Sequence, residues 1–542
     1  MTSMTKKTAI SISRACSLVV AAVALLMSSA AYATTPGVSG TAFNLSARPA
    51  FISQPDGSMV YSWGYSCDSG GSAVPFDSAT ACNGTMQVPG PTLIVQAPAS
   101  GSTTVTVQLT NSLPAQAGNT SILFPGFLVS TSGGVAGLLT QEAASGNPVT
   151  YSITIPSTAA GTHPYYSGTQ GDLQVEMGLY GAIIVLPALS SAVQSACTGG
   201  VHQLNQQAGG LRGETVYQLA PAAYNHVGAC YDREYLFQFS EIDPRIHRQV
   251  EEQLAAIGSC VPSQTVACPT SLNVATEPYV PAFFMVNGRS MPDLMDASYT
   301  AQYPHQPYNG NPHMHPGELV LLRIIGQGRW QHPFHEHGNH VRILGRDGSL
   351  ITSVTNPDVN LAGPLLFTTT TTPGQSLDGI FYWTGKGLNW DAYGHNPSSS
   401  DPNATLACTA DENGYNTLGN SYQAINYYEW CQDHNKPLQA TPVGDLPTGG
   451  PATLPDPNIF ANGAWYGGSP YLGPNATIRA VGSTGTTPPS GTVANSPADE
   501  AGFAFMWHSH NEREITTNNI FPGGMMMMML VDSREFVIDE KK

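Results

Sequence analysis

Histidine is the residue that most clearly offers chemistry in this sequence, because histidines recur at positions i and i+2. One group is His332-Pro-Phe-His335-Glu-His337, and the other is His508-Ser-His510. On a β-strand, residues i and i+2 point to the same face, so each His-x-His presents two imidazoles side by side. Two such pairs on neighbouring strands would gather four nitrogens, and imidazole suits copper, zinc, iron and nickel, with copper(II) bound most strongly. We therefore expect a metal centre built from His335, His337, His508 and His510.

The alternative for any single His-x-His is a pair of surface or hydrogen-bonded histidines without a metal. A second candidate for copper is His313-Met-His315, although a loop with polar side chains is the more ordinary interpretation. The run Met525–Met529 is also unusual, since thioethers bind copper(I). Alternate residues of a terminal strand would face the core, so packing is the default expectation for that run.

These side chains need strands to hold them, and the sequence predicts strands around both histidine groups. Short apolar stretches lie at Glu318–Ile325, His340–Leu344 and Phe503–Trp507. The chain holds 56 glycines and 42 prolines without a collagen period, which favours short strands joined by loops over a helical bundle. One helix is predicted where apolar residues recur at helical spacing from Ile246 to Ile257.

Composition excludes some classes of protein. The 542 residues are 41% hydrophobic, which is enough for a sizeable core, and only 11% are charged. The formal net charge is −17, the wrong sign for a non-specific nucleic-acid binder. We expect a folded protein without a nucleic-acid partner.

The first 33 residues have the pattern of a cleavable export signal. A basic start with Lys6 and Lys7 precedes the apolar stretch Ala15–Met27, and Ala31-Tyr-Ala33 is a small-x-small cleavage site. No later apolar run is long enough to span a membrane. We expect cleavage after Ala33 and a secreted or periplasmic protein without a membrane span.

Cysteine usage agrees with export. The chain has nine cysteines, and setting aside Cys16 in the leader leaves an even number, as in disulfide-bonded proteins. Spacing alone leaves the connectivity open. Nearest-neighbour pairing would join Cys67 to Cys82, Cys197 to Cys230, Cys260 to Cys268, and Cys408 to Cys431.

The motifs resemble those of the multicopper oxidases, which are built from cupredoxin β-sandwiches. His332-Pro-Phe-His335-Glu-His337-Gly is similar to the family's His-Pro-x-His-x-His-Gly motif, and His508-Ser-His510 is similar to its C-terminal His-Cys-His segment. Further segments resemble the family's first two domains: Pro89–Thr92, Thr120–Ile122, Gln174–Ile184, Glu234–Leu236, Ser240–Pro244 and Asn287–Gly288.

The sequence departs from the family where the other metal ligands stand. The first family His pair is replaced at Leu123–Gly126, and the second at Pro164–Gly168. The blue-copper cysteine is replaced by Ser509, and its second histidine by Glu514, so that only His332 remains of that site. A hydroxyl cannot act as the soft thiolate ligand of a blue centre. Tyr166 stands where the family has a cluster histidine, and we expect a packed tyrosine there, with a metal-bound phenol as the alternative.

The resemblance implies an all-β fold of two tandem cupredoxin-like Greek-key sandwiches with long loops. We expect a leader over residues 1–33, a first domain over 34–187, a linker over 188–229 and a second domain over 230–536. The second domain would carry a long insertion at 385–500, and a three-domain layout is the alternative. Two-domain relatives tend to form trimers, so a homotrimer is an expectation.

Two classes of function stay open. The first is an exported copper-dependent oxidoreductase that acts on a small molecule or metal ion with a mono- or dinuclear copper held by the four histidines. The second is a non-catalytic copper-binding or surface-assembly protein on the same scaffold. Since half of the family's cluster ligands are replaced, the four-copper laccase cycle is not expected in either case.

Overall fold

The structure is a computed structural model. It describes residues 35–68, 74–75, 82–198, 218–262, 267–386, 410–417, 428–430, 432, 468–472, 493–494, 502–532, 536 and 538. The expected leader, most of the expected insertion at 385–500, and the cysteines 408 and 431 lie outside the described residues.

Two five-stranded sheets and a small hairpin make up the first half of the described chain. The strands are β1 (Val38–Ser39), β2 (Ala42–Ser53), β3 (Met59–Cys67), β4 (Val74–Pro75), β5 (Leu93–Gln96), β6 (Ser102–Asn111), β7 (Leu128–Gly133), β8 (Val135–Ala136), β9 (Gln141–Glu142), β10 (Val149–Pro156), β11 (Gly161–Tyr166) and β12 (Tyr180–Leu186). One sheet has the order β11-β12-β5-β1-β4, the other has the order β3-β2-β6-β10-β7, and β8 pairs with β9.

Two seven-stranded sheets make up the second half. The strands are β13 (Arg233–Ile242), β14 (Phe283–Val286), β15 (His313–Met314), β16 (Leu319–Gly326), β17 (His332–Glu336), β18 (Val341–Arg346), β19 (Ser349–Leu350), β20 (Leu365–Leu366), β21 (Thr368–Thr371), β22 (Ser376–Tyr382), β23 (Gly468–Leu472), β24 (Val493–Ala494), β25 (Gly502–Ser509) and β26 (Met526–Asp532). One sheet has the order β14-β13-β16-β22-β18-β19, with β20 on β18. The other has the order β15-β26-β25-β17-β21, with β23 attached to β25 and β24 attached to β23.

Helices are few and short among the described residues. The α-helices are α1 (Gly171–Gln174), α2 (Ser191–Cys197) and α3 (Pro244–Ser259), and 3-10 turns lie at Ala115–Ala117, Val227–Ala229 and Asp293–Met295. Helix α3 confirms the helix predicted from apolar spacing. Its N-terminus is fixed by Asp243, whose side chain accepts a hydrogen bond from the Arg245 amide, with Pro244 at the first helical position. Among the described residues, none of the helices has the length and apolarity needed to cross a membrane.

Each pair of sheets encloses its own apolar core, as in a β-sandwich. In the first core, alternate residues of β6 and β10 face inward and are fully buried, and helix α3 adds Ile246 and Val250. In the second core, Phe237 and Ile324 of one sheet meet Phe334 of the other. The all-β, cupredoxin-like sandwich architecture expected from the sequence is therefore confirmed. We interpret the two sandwiches as two domains.

A buried polar network joins the two sandwiches. Thr162 of β11 donates hydrogen bonds to Asp378 of β22 from its amide (3.1 Å) and from its hydroxyl (2.6 Å). Arg323 of β16 pairs with Glu234 at 2.7 Å and lies 3.7 Å from Asp378. Tyr224 donates a further hydrogen bond to Asp378 at 2.6 Å. The three charged side chains belong to one sheet of the second sandwich, and Thr162 of the first sandwich bonds to Asp378 and to Arg323 Nη1, at 3.1 Å. Since these side chains are almost fully buried, each charge depends on its partner.

Three of the expected disulfides are confirmed by the structure. They join Cys67 to Cys82, Cys197 to Cys230, and Cys260 to Cys268. Each closes a loop between nearest-neighbour cysteines, as the spacing suggested.

Candidate metal centre

The two histidine groups lie on adjacent antiparallel strands, β17 and β25. In the register of this pair, His335 stands opposite His508 and Phe334 stands opposite Ser509. Phe334 belongs to the second core. Because side chains alternate along a strand, His335 and His508 project from the opposite face of the sheet. The pairing thus brings the two His-x-His motifs together, as the sequence predicted.

Three of the four expected imidazoles form a compact group. One nitrogen from each of His335, His337 and His508 lies within 4.8 Å of the others. The closest pair is His337 Nε2 and His508 Nε2, at 3.2 Å. His510 is exposed at the edge of this group, with its ring centroid 4.8 Å from that of His335 and 5.7 Å from that of His508.

Hydrogen bonds orient two of these rings. His335 Nδ1 lies 2.6 Å from Thr368 Oγ1, on the neighbouring strand β21. His508 Nδ1 lies 2.7 Å from the Ser509 carbonyl oxygen, which can only accept, so Nδ1 carries the proton. The lone pair of neutral His508 is therefore on Nε2, the atom that faces His337. Metal-binding histidines commonly have this arrangement: one ring nitrogen donates a hydrogen bond, which orients the ring and leaves the other nitrogen to bind the metal.

The surroundings of His335 and His508 favour the neutral forms of these two rings. Burial, together with repulsion from the neighbouring His337, His508 and His510, lowers the pKa of His335 to about 3. Burial also lowers the pKa of His508. A neutral imidazole is the form that binds a metal ion, so these two rings are held in the ligand state.

The donor set fits a copper ion. A tetrahedral zinc centre with metal–nitrogen bonds of about 2.0–2.1 Å has ligand nitrogens about 3.3 Å apart, so the 3.2 Å between His337 Nε2 and His508 Nε2 suits two imidazoles on one metal ion. Imidazole ligands without a carboxylate or thiolate favour a borderline metal such as copper(II) over calcium or magnesium. His335, His337 and His508 would hold such an ion, and His510 is near enough to join them after a change of rotamer.

The position that corresponds to a blue-copper site contains a hydrogen-bonded polar group instead. His332 is fully buried, with Nδ1 2.9 Å from Glu514 Oε2 and Nε2 2.9 Å from Glu241 Oε2. The Ser509 hydroxyl donates to the same Glu514 oxygen at 2.5 Å. Both ring nitrogens of His332 therefore face carboxylates, and His332 lies apart from the three-histidine group. These residues do not fit a blue-copper centre.

The two carboxylates are themselves fixed by other groups. Glu241 Oε1 accepts hydrogen bonds from the backbone amides of Arg329 and Trp330, at 2.7 and 2.9 Å. Glu514 Oε1 accepts one from Asn511 at 2.9 Å. Burial by itself lowers the pKa of His332, but the hydrogen bonds and negative charges of Glu241 and Glu514 outweigh it and raise that pKa to about 9. The ring is an imidazolium at neutral pH.

The remaining sequence candidates have structural partners. Tyr166 packs against an apolar cluster that contains Tyr180 and Ile242, which agrees with a packed tyrosine. Its pKa is raised by burial. His313 Nδ1 lies 2.6 Å from Asp532 Oδ2, and His315 Nδ1 lies 3.1 Å from the Asp532 carbonyl oxygen. The His313 and His315 rings are thus held against the end of β26.

Two residues near the candidate centre were not singled out from the sequence. Thr368 orients His335, and its only sequence signal is the run of threonines from 368 to 372. Glu336 lies between two candidate ligands but shares the core side of β17 with Phe334. Burial raises the pKa of Glu336 to about 8, so its carboxyl group is mainly protonated at pH 7. Thr369 donates to Glu336 Oε1 at 2.7 Å.

One family model matches part of the chain that contains this site. The family model described as multicopper oxidase matches residues 276–377, the stretch that contains His332, His335 and His337. Over this stretch the chain is similar to the multicopper oxidases, in agreement with the resemblance seen in the motifs. The second histidine pair lies beyond the matched residues. No curated protein matches the sequence.

Solved structures resemble the chain only at low identity. "Multicopper Oxidase mgLAC" has 14% identity and a TM-score of 0.43, over 92% of this chain and 87% of that one. A blue copper oxidase from Nitrosomonas europaea has 13% identity and a TM-score of 0.40, over 90% of this chain and 85% of that one. Fet3p, a multicopper oxidase that functions in iron import, has 17% identity and a TM-score of 0.36, over 63% and 45%.

Proposed function

We propose that this protein is an exported copper-binding protein with one copper centre at His335, His337 and His508, and that it acts as a copper-dependent oxidoreductase. The single observation that carries the proposal is the approach of three imidazole nitrogens to within 4.8 Å of one another. Copper would supply one-electron redox chemistry and Lewis acidity there. The multicopper oxidase domain supports copper over other metals that imidazole binds.

The protein's own groups define what chemistry this centre can support. His335 and His508 are poised as neutral donors by burial, and Thr368 and the Ser509 carbonyl hold their rings in place. The exposed His510 marks the side from which a substrate reaches the centre. Since the blue-copper position is filled by His332, Ser509 and Glu514, no separate electron-accepting copper is proposed. Any substrate must contact the histidine centre directly, and turnover should be slow.

The proposal is tested by copper content and electron paramagnetic resonance of the purified protein. We expect tight copper(II) binding with a nitrogen-rich, weakly coloured spectrum. Replacing both members of a pair, as in His335→Ala with His337→Ala, should abolish most tight binding. The matched control is His313→Ala with His315→Ala, which removes two histidines that lie against Asp532 and should leave the copper content unchanged.

Loss of copper in the control but not in the His335 and His337 variant would indicate that copper binds at His313 and His315 instead. Retention of copper in both double variants would reject a histidine centre on β17 and β25. Circular dichroism of each variant separates loss of a ligand from loss of fold.

A second candidate is a non-catalytic copper-binding protein. The observation that favours it is the filled blue-copper position, which removes the family's route for electrons from the substrate. Oxygen consumption by the copper-loaded protein with phenols, Cu(I), Fe(II) or Mn(II) decides between the two. Tight copper without any turnover would support the binding protein, and turnover lost in the His335 and His337 variant would support the enzyme.

A further inference from the structure

The methionine run on β26 is divided between two faces of the sheet. Met525, Met527 and Met529 are fully buried in the second core, together with Trp507 and Phe505. Met526 and Met528 are the alternate residues, so they project from the other face. Packing of the sandwich core therefore accounts for the odd-numbered methionines and leaves Met526 and Met528 without that role.

The register of β25 and β26 places these two methionines beside the candidate centre. Met526 stands opposite His508, and Met528 stands opposite Met506. His508 in turn stands opposite His335. Residues that face each other across antiparallel strands have Cβ atoms about 4.5–5.5 Å apart. One row of the sheet face is thus His335, His508 and Met526, and the next row contains Met506 and Met528.

We propose that Met506, Met526 and Met528 form a binding site for monovalent copper, Cu(I), on the same sheet face as the histidine centre. The inference rests on the proposed function, because a Cu(I) site beside the histidines is meaningful only if this face of the sheet binds copper. The site would present three thioethers at the edge of the imidazole group.

The chemistry of the side chains favours Cu(I) over divalent ions. Thioether sulfur is a soft, neutral ligand that selects Cu(I), whereas Cu(II) favours imidazole. The methionine side chain has three rotatable bonds, so sulfurs from two rows can converge on one ion. Met526 is 5% exposed and Met506 and Met528 are half-buried, which leaves the group partly shielded from water and still reachable.

The neighbouring row on this face contains no further thioether. It pairs Ala504 with Leu530, which have no donor side chain, and beyond them lies His313 of β15, whose Nδ1 is 2.6 Å from Asp532 Oδ2. Leu530 occupies the same strand and the same face as Met528, so an apolar residue without sulfur is accommodated there. Packing alone therefore does not require methionine at this face.

The test compares two triple variants of the same strand region. In the first, Met506, Met526 and Met528 are each replaced by Leu. In the second, the core-facing Met525, Met527 and Met529 are each replaced by Leu, as the matched control. Methionine-to-leucine exchange conserves volume, so both variants should fold. Cu(I) affinity is measured anaerobically by competition with a chromophoric Cu(I) chelator, and Cu(II) content is measured separately.

We expect the first variant to lose at least tenfold in Cu(I) affinity and to keep its Cu(II) content, while the control keeps both. X-ray absorption of the Cu(I)-loaded wild type should show copper–sulfur scattering that the first variant lacks. Equal Cu(I) affinity in all three proteins, or scattering from nitrogen alone, would overturn the methionine site. If the core-facing triple variant does not fold, Met527→Leu alone serves as the control.

The separate Cu(II) measurement distinguishes the two proposals. Absence of Cu(II) binding in the wild type would reject the histidine centre, whereas the Cu(I) competition would still report on the thioethers. Normal Cu(II) binding with unchanged Cu(I) affinity in the first variant would reject the methionine site and leave the histidine centre standing.

Discussion

At His332, each imidazole nitrogen lies 2.9 Å from a carboxylate oxygen, of Glu514 on one side and of Glu241 on the other. The pKa of His332 is raised to about 9, above the value of about 6.5 for an unfolded histidine. A raised pKa means that the folded state holds the proton more tightly. This stabilisation is complete below about pH 6.5 and is lost as the pH rises through about 9.

The first prediction follows from that proton. The free energy of unfolding of the wild type should fall between about pH 6.5 and pH 9, by up to about 3 kcal/mol from this group. Urea unfolding at several pH values measures it, and His332→Gln should flatten the slope. The pKa of Glu336 is raised to about 8, so its contribution to the free energy of unfolding also falls as the pH rises. The difference between wild type and variant therefore isolates His332, and identical slopes would contradict the assignment.

The second prediction concerns colour. Copper bound at the histidine centre should give no intense blue band, because that band needs a cysteine thiolate and Ser509 offers only a hydroxyl. Ser509→Cys alone should also remain without the band, since Glu514 still faces the position and both nitrogens of His332 are engaged. Optical and paramagnetic resonance spectra of both proteins are the measurement. A strong blue band in either one would show that a thiolate reaches the copper.

Among single residues, sequence reasoning found the candidate histidines but not the residues that contact them. The i, i+2 rule correctly placed His335 and His508 on one face of adjacent strands. The contact between His332 and Glu241 was not predictable, because the two lie far apart in sequence and meet only when β13 packs against β17. Ser509 and Glu514 were recognised as substitutions, but their mutual hydrogen bond depends on the turn after β25.

Strand pairing is the level at which the centre is assembled. The register of β17 with β25 and of β25 with β26 decides which side chains share a row, and a slip of one residue would send every histidine to the core face. Alternation along β26 was predicted from the methionine run, and the burial of its odd-numbered members confirms it. The row in which Met526 stands opposite His508 was not predictable, because pairing between distant strands has no local signal.

The third prediction concerns the strands that join the sandwiches. Arg323→Met should lower the free energy of unfolding by about 3–5 kcal/mol, since it leaves buried Glu234 and Asp378 without their cation. The control is Arg48→Met, which breaks a partly exposed pair with Asp68 and should cost at most about 1 kcal/mol. Urea unfolding of the two variants gives the comparison. Equal costs would mean that the buried ion pairs of Arg323 contribute no more than a pair near the surface.

Over the whole molecule, the fold class followed from composition and motifs, whereas the packing of one sandwich on the other did not. Glycine and proline content together with short apolar runs favoured an all-β protein, and the sheets confirm it. The polar residues that join the sandwiches are scattered from Thr162 to Asp378, so no window of sequence contains them. Interface partners of this kind are set by tertiary structure alone.

The fourth prediction concerns maturation. The protein isolated from the exported fraction should begin at Thr34, and thiol titration of the unfolded, unreduced chain should find almost no free cysteine. The export pattern at the N-terminus and the disulfides formed by Cys67, Cys197 and Cys260 motivate it. Mass spectrometry of the intact protein checks both points. An uncleaved chain with several free thiols would contradict both export and the oxidising compartment.

The buried group formed by His332, Ser509, Glu241 and Glu514 also constrains how this sequence can change. Ser509→Cys alone removes the hydroxyl that donates to Glu514 and gains no second imidazole. Glu514→His alone leaves His332 with one carboxylate and places a second imidazole in a buried pocket whose charges suit a single imidazolium. Each single step toward a thiolate copper site lowers stability before a metal can compensate. Evolution of a blue-copper site in this sequence therefore requires several substitutions that are harmful singly and useful only together.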